Sequence, residues 1–138
     1  MSIRSTTLYK AISPQQLTEL KLSKHKTLGL DFSGQQNIYL KLNKPYAEMI
    51  ARQWHLPLFG AAFIISVKLP NDFLKQFIIE SFGLAEHRQY CVPAVELSNV
   101  NRQLCEKIHI ISGLVQHRVG AANTHIPLLN MTELRHSA

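Results

Sequence analysis

Long uncharged apolar runs are missing from this sequence of 138 residues. No hydrophobic segment approaches the roughly 18 to 20 residues that a membrane-spanning helix needs. The first ten residues, MSIRSTTLYK, contain neither an unbroken apolar stretch nor a small-residue cleavage site, so we expect no secretory signal. The expected location is therefore the cytoplasm, or a destination reached by a non-classical secretion route.

Cysteine is scarce, and metal-ligand spacings are absent. The two cysteines, Cys91 and Cys105, are too few for a disulfide framework, and their apolar strand-like surroundings predict reduced core residues. A nucleophilic Cys91 with His109 as its base is the less favoured alternative. The seven histidines show no His-x-x-x-His spacing and the cysteines no Cys-x-x-Cys spacing, so no metal site is expected.

Acidic residues are fewer than basic ones, nine against fifteen, which gives a formal net charge of +6. This balance favours anionic partners such as nucleotides, nucleic acid or acidic proteins. With 46% hydrophobic and 17% charged residues, the chain has the composition of one globular domain. We assign that domain to residues 1–115 and predict that residues 116–138 form a loosely packed or mobile tail.

The first half of the chain predicts two strand–helix units. A strand over residues 2–11 is followed by Ser13, Pro14 and Gln16, which form a helix N-cap with proline at the first helical position. Residues 21–37 predict a surface loop, and residues 38–42 predict a second strand. The next helix places Tyr46, Met49, Ile50 and Trp54 on one stripe, which predicts that they face the core.

The second half predicts a central strand over residues 61–69, because apolar side chains alternate with others there up to Pro70. Asn71 is expected to cap a short helix. A strand over residues 88–92 ends at Pro93, residues 94–102 predict a turn, and residues 106–111 predict the last strand. Five or so strands mixed with two or three short helices indicate an α+β domain.

The order of these elements resembles the ADP-ribosyltransferase-like fold, and in particular small bacterial proteins with that fold. The resemblance covers residues 6–112 and implies small mixed or antiparallel sheets around a cleft. The segments that carry it are LYKAISP at 8–14, IYLKLN at 38–43 with the alanines of the helix that follows, the strand over residues 63–69, and QYCVP at 89–93.

The resemblance also implies a site that binds NAD between two sheets. Lys10 occupies the position where the family has arginine or histidine, and Tyr39 or Lys41 the position of the supporting residue on the second strand. Gln89 stands where the family has the glutamate that contacts the nicotinamide ribose. A carboxylate there stabilises positive charge as the glycosidic bond breaks, and an amide supplies no net charge. The implied protein is therefore an NAD-binding domain of a bacterial effector or toxin-like system with weak or lost transferase activity.

Two questions stay open at the level of sequence. Glu86 and Glu96 flank the Gln89 strand, but one lies three residues away and the other beyond Pro93, so neither is expected to replace the missing acid. The target of any transfer reaction is an unknown protein or nucleic acid. The alternative function is a non-enzymatic basic module that binds nucleic acid or an acidic protein, although the aromatic residues do not interleave with the basic ones as on a base-stacking platform.

Overall fold

The structure is a computed structural model, and it describes residues 4–116. Strand β1 (Ser5–Ile12) and helix α1 (Pro14–Leu22) match the predicted first unit. The Gln16 backbone N–H donates to Ser13 Oγ at 3.2 Å, and the Ser13 N–H donates to Gln16 Oε1 at 2.9 Å. This capping box satisfies two backbone donors at once, so the local sequence fixes where the strand ends and the helix begins. The predicted tail lies outside the described residues from residue 117 onward.

The α+β class is confirmed by the elements that follow. The strands are β2 (Asn37–Lys41), β3 (Ala61–Pro70), β4 (Ile78–Ser81), β5 (Arg88–Pro93) and β6 (His109–Val115). The helices are α2 (Lys44–Ile50), α3 (Leu56–Phe59), α4 (Asn71–Leu74) and α5 (Leu97–Gln103), with a π-helical turn at Ala51–His55 and a 3₁₀ turn at Ala94–Glu96.

The strands form one antiparallel sheet of six, in the order β4-β5-β2-β1-β3-β6. Where the resemblance implies separate small sheets, the described residues form a continuous sheet with one weak seam. β1 pairs with β3 through eight residues, from Ser5 to Ile12, but with β2 through a single pair, Tyr9 and Lys41. The sheet therefore consists of two three-stranded halves that meet at one point of contact.

The two faces of the sheet carry different side chains. We call the first the core face: it holds the large hydrophobic core and packs against α1, α4 and α5. The opposite face, which we call the site face, packs against α2, the π turn and α3 through a smaller cluster rich in alanine. The core face takes alternate residues of each strand, such as Leu8 and Ile12 of β1 and Ile38 and Leu40 of β2.

The prediction that Trp54 faces the core from the second helix is wrong, because its side chain is 65% exposed. Ala47, Ala51 and Leu56 are buried there instead, at spacings of four and then five residues. The spacing of five spans the π turn, because such a turn inserts one extra residue and rotates the following side chains. Pro57 gives the reason: it has no N–H to donate to the preceding turn, and its ring crowds that turn's carbonyl.

Three element predictions in the second half are corrected. Asn71 does not cap α4 but is its first residue, and its Oδ1 accepts a hydrogen bond from Thr6 Oγ1 at 2.5 Å. The predicted turn at 94–102 is largely helix α5, whose Val100 is fully buried in the core. The last strand lies three residues further along than predicted at its start. In each case a tertiary contact decided what local propensity left undetermined.

Two further corrections concern β4 and a cysteine. The sequence analysis did not predict β4, whose apolar residues Ile78 and Ile79 are exposed at the edge of the sheet. Both cysteines are free thiols, but Cys105 is exposed rather than buried, and Cys91 is half-buried on the site face. The β4 strand brings an acid, Glu80, next to Gln89 of the predicted site.

Candidate functional site

A row of polar side chains crosses the site face where the two half-sheets meet. Directly paired residues of an antiparallel sheet lie side by side on the same face. The pairs are Glu80 with Gln89, Gln89 with Lys41, Lys41 with Tyr9, and Tyr9 with Ser66. The row therefore places two of the residues predicted from the sequence, Gln89 and Lys41, next to each other.

Gln89 is a buried member of the row that a hydrogen bond ties to the next strand. Its side chain is buried, with 5% of its surface exposed, and Nε2 donates to Glu80 Oε1 at 3.0 Å. Its Oε1 is buried and has no hydrogen-bond partner among the described residues. A buried acceptor without a partner costs roughly 1 to 3 kcal/mol, so this oxygen is a strong candidate to receive a donor from a ligand.

Lys41 is a buried lysine with no ion pair among the described residues. It is 9% exposed, and its Nζ lies 5.6 Å from the ring centre of Tyr39 and 5.3 Å from that of Tyr46. The pKa of Lys41 is lowered to about 8, first by burial and then by the charge of Lys10, against the opposing effects of the Asp31 and Glu80 carboxylates. The two aromatic faces compensate the cation only in part.

Tyr39 and Tyr46 border Lys41 from different elements. Tyr39 belongs to β2 and pairs with Cys91 of β5, whereas Tyr46 comes from the first turn of α2. The ring of Tyr46 also stacks on His87, with 4.9 Å between the ring centres. The Tyr39 position predicted from the sequence is thus on the site face, and Tyr46, predicted to be core, contributes a second ring there.

Lys10 does not join this row. It pairs across the sheet with Ile65, on the core face, and its Nζ donates to Asp31 Oδ2 at 2.9 Å. Burial alone raises the pKa of Asp31, but the Lys10 ammonium and hydrogen bonds from Lys10, Gln16 and Gln35 outweigh that effect and hold it below its usual value. The charge of Lys10 is therefore already compensated inside the protein.

A cavity of about 440 Å³ opens beside Asp31, at the end of β1 where the two half-sheets part. Exposed apolar side chains form its wall. Among them are Trp54 of the π turn, Leu58 of α3 and Phe32 of the loop between α1 and β2. His55 also lines it, and its Nδ1 is buried. Burial lowers the pKa of His55 and the Lys10 charge lowers it further, against the opposing effects of the Asp31 charge and a hydrogen bond with the Ile50 backbone.

The residue of this polar row that sequence reasoning missed is Glu80. It lies on β4, nine positions before Gln89 in the chain, and only strand pairing brings the two together. The acids weighed from the sequence lie elsewhere: Glu86 is exposed in the turn before β5, and Glu96 is in the 3₁₀ turn, where it accepts a hydrogen bond from Asn99. The two adjacent β-branched isoleucines of the segment IIES at 78–81 were the available signal.

Comparison with protein-family models, curated proteins and solved structures found no match to this chain. Within residues 4–116, no group of three or more histidine, cysteine, aspartate or glutamate side chains is placed to hold a metal ion. No helix in the described part of the chain is long and apolar enough to span a membrane.

Proposed function

We propose that this domain binds NAD on the site face, in the manner of the ADP-ribosyltransferase-like proteins that its sequence resembles. The observation that carries the proposal is the row at the seam of the sheet, where Gln89 presents a buried oxygen without a partner next to the uncompensated ammonium of Lys41. A ribose hydroxyl can donate to that oxygen. A phosphate can accept from that ammonium, because a lysine binds phosphate as a point charge.

The structure changes which of the predicted residues are the better candidates for ligand binding. Lys10 is a weaker candidate for phosphate binding than Lys41, since its charge is bound to Asp31 at 2.9 Å. Tyr39 is half-buried beside Lys41 and supplies an aromatic face against which a planar ring can stack, whereas Tyr46 is buried and already stacks on His87. The proposed roles are therefore phosphate contact for Lys41, ribose contact for Gln89 and ring contact for Tyr39.

Binding of NAD is tested by calorimetric titration of the whole chain. Lys41→Met keeps the length of the side chain and removes the charge, so it is expected to weaken binding about tenfold, the equivalent of about 1.4 kcal/mol. The matched control is Lys21→Met on the exposed surface of α1, which removes the same charge far from the seam. Equal affinity of both variants, or no heat with the unmodified protein, would refute the proposal.

Transfer of ADP-ribose to a macromolecule is a separate question from binding. Radiolabelled NAD incubated with the protein and a bacterial or host lysate would label a protein or nucleic-acid target if the chain acts as an effector. Absence of label together with measurable NAD affinity would indicate a domain that has kept binding and lost transfer.

A basic binding module is the second candidate, and one surface feature favours it. Lys21, Lys24 and Lys26 are all exposed around the end of α1 and make no ion pairs within residues 4–116. Binding of nucleic acid through such residues must weaken steeply with salt, because phosphate contacts release counterions. A gel-shift series from low to physiological salt tests this, and a complex that ignores salt would argue against it.

A further inference from the structure

We infer that the cavity beside Asp31 binds a small uncharged aromatic molecule that carries a hydroxyl group. The cavity volume of about 440 Å³ lies within the range of roughly 300 to 1,000 Å³ that is typical of small-molecule sites. None of the residues that line it belongs to the polar row that runs from Glu80 to Ser66. This site is therefore separate from the row proposed to bind NAD, and each can be tested without the other.

The wall of the cavity collects aromatic side chains that are exposed to solvent. Four phenylalanine or tryptophan side chains are exposed within residues 4–116, and three of them, Phe32, Trp54 and Phe59, line this cavity. Leu58, which is 72% exposed, also lines it. A single exposed apolar side chain needs no explanation, but four that share one concave surface indicate a place where an apolar molecule binds.

Two local structures hold these side chains in place. The π turn directs Trp54 away from the core, and such turns often occur at functional sites. The loop that carries Phe32 is fixed by Gln35, whose Oε1 accepts from the Asp31 N–H at 2.6 Å and whose N–H donates to the Phe32 carbonyl at 3.3 Å. The wall is therefore formed before any ligand binds, which lowers the entropy cost of binding.

Ser13 and Asp31 supply polar groups that match a hydroxyl. The Ser13 hydroxyl oxygen accepts from the Gln16 N–H at 3.2 Å, and its proton is donated to no group within residues 4–116. Asp31 Oδ1 accepts one hydrogen bond, from Gln16 Nε2 at 2.7 Å, whereas Oδ2 accepts two. Because a carboxylate oxygen has two acceptor sites, Oδ1 can accept one more. A ligand hydroxyl can accept from Ser13 and donate to Asp31.

The charges at the cavity favour an uncharged ligand. Asp31 is a lining carboxylate, and the Lys10 ammonium lies 2.9 Å from its Oδ2. The pKa of His55 is lowered, chiefly by burial, which favours the uncharged form of this ring. An anionic ligand would be repelled by the Asp31 carboxylate. A cationic ligand would be repelled by the Lys10 ammonium and by the formal net charge of +6.

The inference is tested with 2-naphthol as the probe and the whole ¹⁵N-labelled chain. Trp54 is the only tryptophan of the sequence, so its indole N–H gives one NMR resonance that reports on the cavity wall. Titration with 2-naphthol should shift this resonance to saturation, with a dissociation constant below about 1 mM. The probe 2-methoxynaphthalene accepts a hydrogen bond but donates none, so it should bind about fivefold more weakly.

A pair of variants tests the location. Leu58→Glu places a charged group in the apolar wall and should weaken 2-naphthol binding about tenfold. The matched control is Leu22→Glu at the end of α1, where the side chain is 79% exposed and does not line the cavity, and it should leave the affinity unchanged. Circular dichroism of both variants shows that a lost affinity does not reflect lost folding, since both leucines are exposed.

Several results would overturn the inference. They are a Trp54 resonance that does not shift or does not saturate, equal affinities of the two variants, and tighter binding of 2-naphthalenesulfonate or 2-naphthylmethylammonium than of 2-naphthol. Acrylamide should quench the fluorescence of Trp54 in the free protein. A shielded Trp54 would mean that a second copy or another part of the chain fills the cavity, which would also overturn the inference. Competition between NAD and 2-naphthol would show one site instead of two.

Discussion

Replacing Gln89 by glutamate, the residue that the family resemblance places there, is expected to destabilise the protein rather than to restore activity. The new carboxylate would face Glu80 at the distance now spanned by a 3.0 Å hydrogen bond. Losing that bond costs about 1 kcal/mol. Two like charges about 4 Å apart repel by roughly 4 kcal/mol at an effective dielectric constant near 20, and solvent at the half-exposed Glu80 reduces this to about half.

Together, the lost hydrogen bond and the charge repulsion should lower the free energy of unfolding of Gln89→Glu by on the order of 3 kcal/mol at neutral pH. This loss corresponds to a fall in melting temperature of roughly 10 °C for a chain of this size. Like charges this close raise the pKa of one of the two carboxyl groups above its unfolded value. The destabilisation is therefore present above that raised pKa and disappears below about pH 4, where both states bind the proton. Thermal melting by circular dichroism at pH 7.5 and at pH 3.5 measures both the loss and its recovery.

The exchange variant that carries Glu80→Gln together with Gln89→Glu provides the control. It restores one amide and one carboxylate to the pair, so its melting temperature should recover most of the loss at pH 7.5. A Gln89→Glu protein that melts like the unmodified one, or an exchange variant as unstable as the single one, would show that these two side chains do not interact as described.

Four further outcomes follow from the same structure. Asp31→Asn should lower the free energy of unfolding by about 3 kcal/mol in chemical denaturation, because the variant leaves the buried Lys10 ammonium without its carboxylate. Lys10→Met should cost less, because the half-exposed Asp31 carboxylate keeps its hydrogen bonds from Gln16 and Gln35. Equal losses in the two variants would contradict this reasoning. Acetylation of Lys41, followed by mass spectrometry, should reach half its maximal rate near pH 8. Since its folded pKa lies below the unfolded one, Lys41→Met should stabilise the protein at pH 7 by at most about 3 kcal/mol, and destabilisation would refute the assignment. Trp54→Ala should change stability by less than about 0.5 kcal/mol in the same melts, because the ring is 65% exposed; a loss of several kcal/mol would place it in the core.

Local sequence predicted most of the first half of the fold. Ser13, Pro14 and Gln16 determine the start of α1 through contacts within four residues, and the structure contains the same hydrogen bonds that the pattern predicts. The central strand was equally predictable from the sequence, because apolar and polar side chains alternate from Ile65 to Leu69 after a short apolar run, up to Pro70. Even Pro93, which ends β5, acts through its own backbone geometry.

The departures from prediction arise where one segment depends on another. Trp54 has the spacing of a core residue in a regular helix, but the π turn before Pro57 rotates it outward. β4 is four residues long and mostly exposed, so its pattern is too short to distinguish a strand from a loop, and pairing with β5 decides it. Val100 is buried because α5 packs on a core assembled from distant strands.

The candidate site, like the fold, was predicted from the sequence only in part. The sequence by itself placed Lys41 and Gln89 on strands, since that statement depends on residue order alone, whereas the expectation of an acid at position 89 came only from the family resemblance. Tertiary structure decided that Lys10 is bound to Asp31 on the opposite face and that Glu80 lies against Gln89. Strand register pairs residues that the chain keeps apart, and neither charge compensation nor an acid from a neighbouring strand is encoded within a single segment.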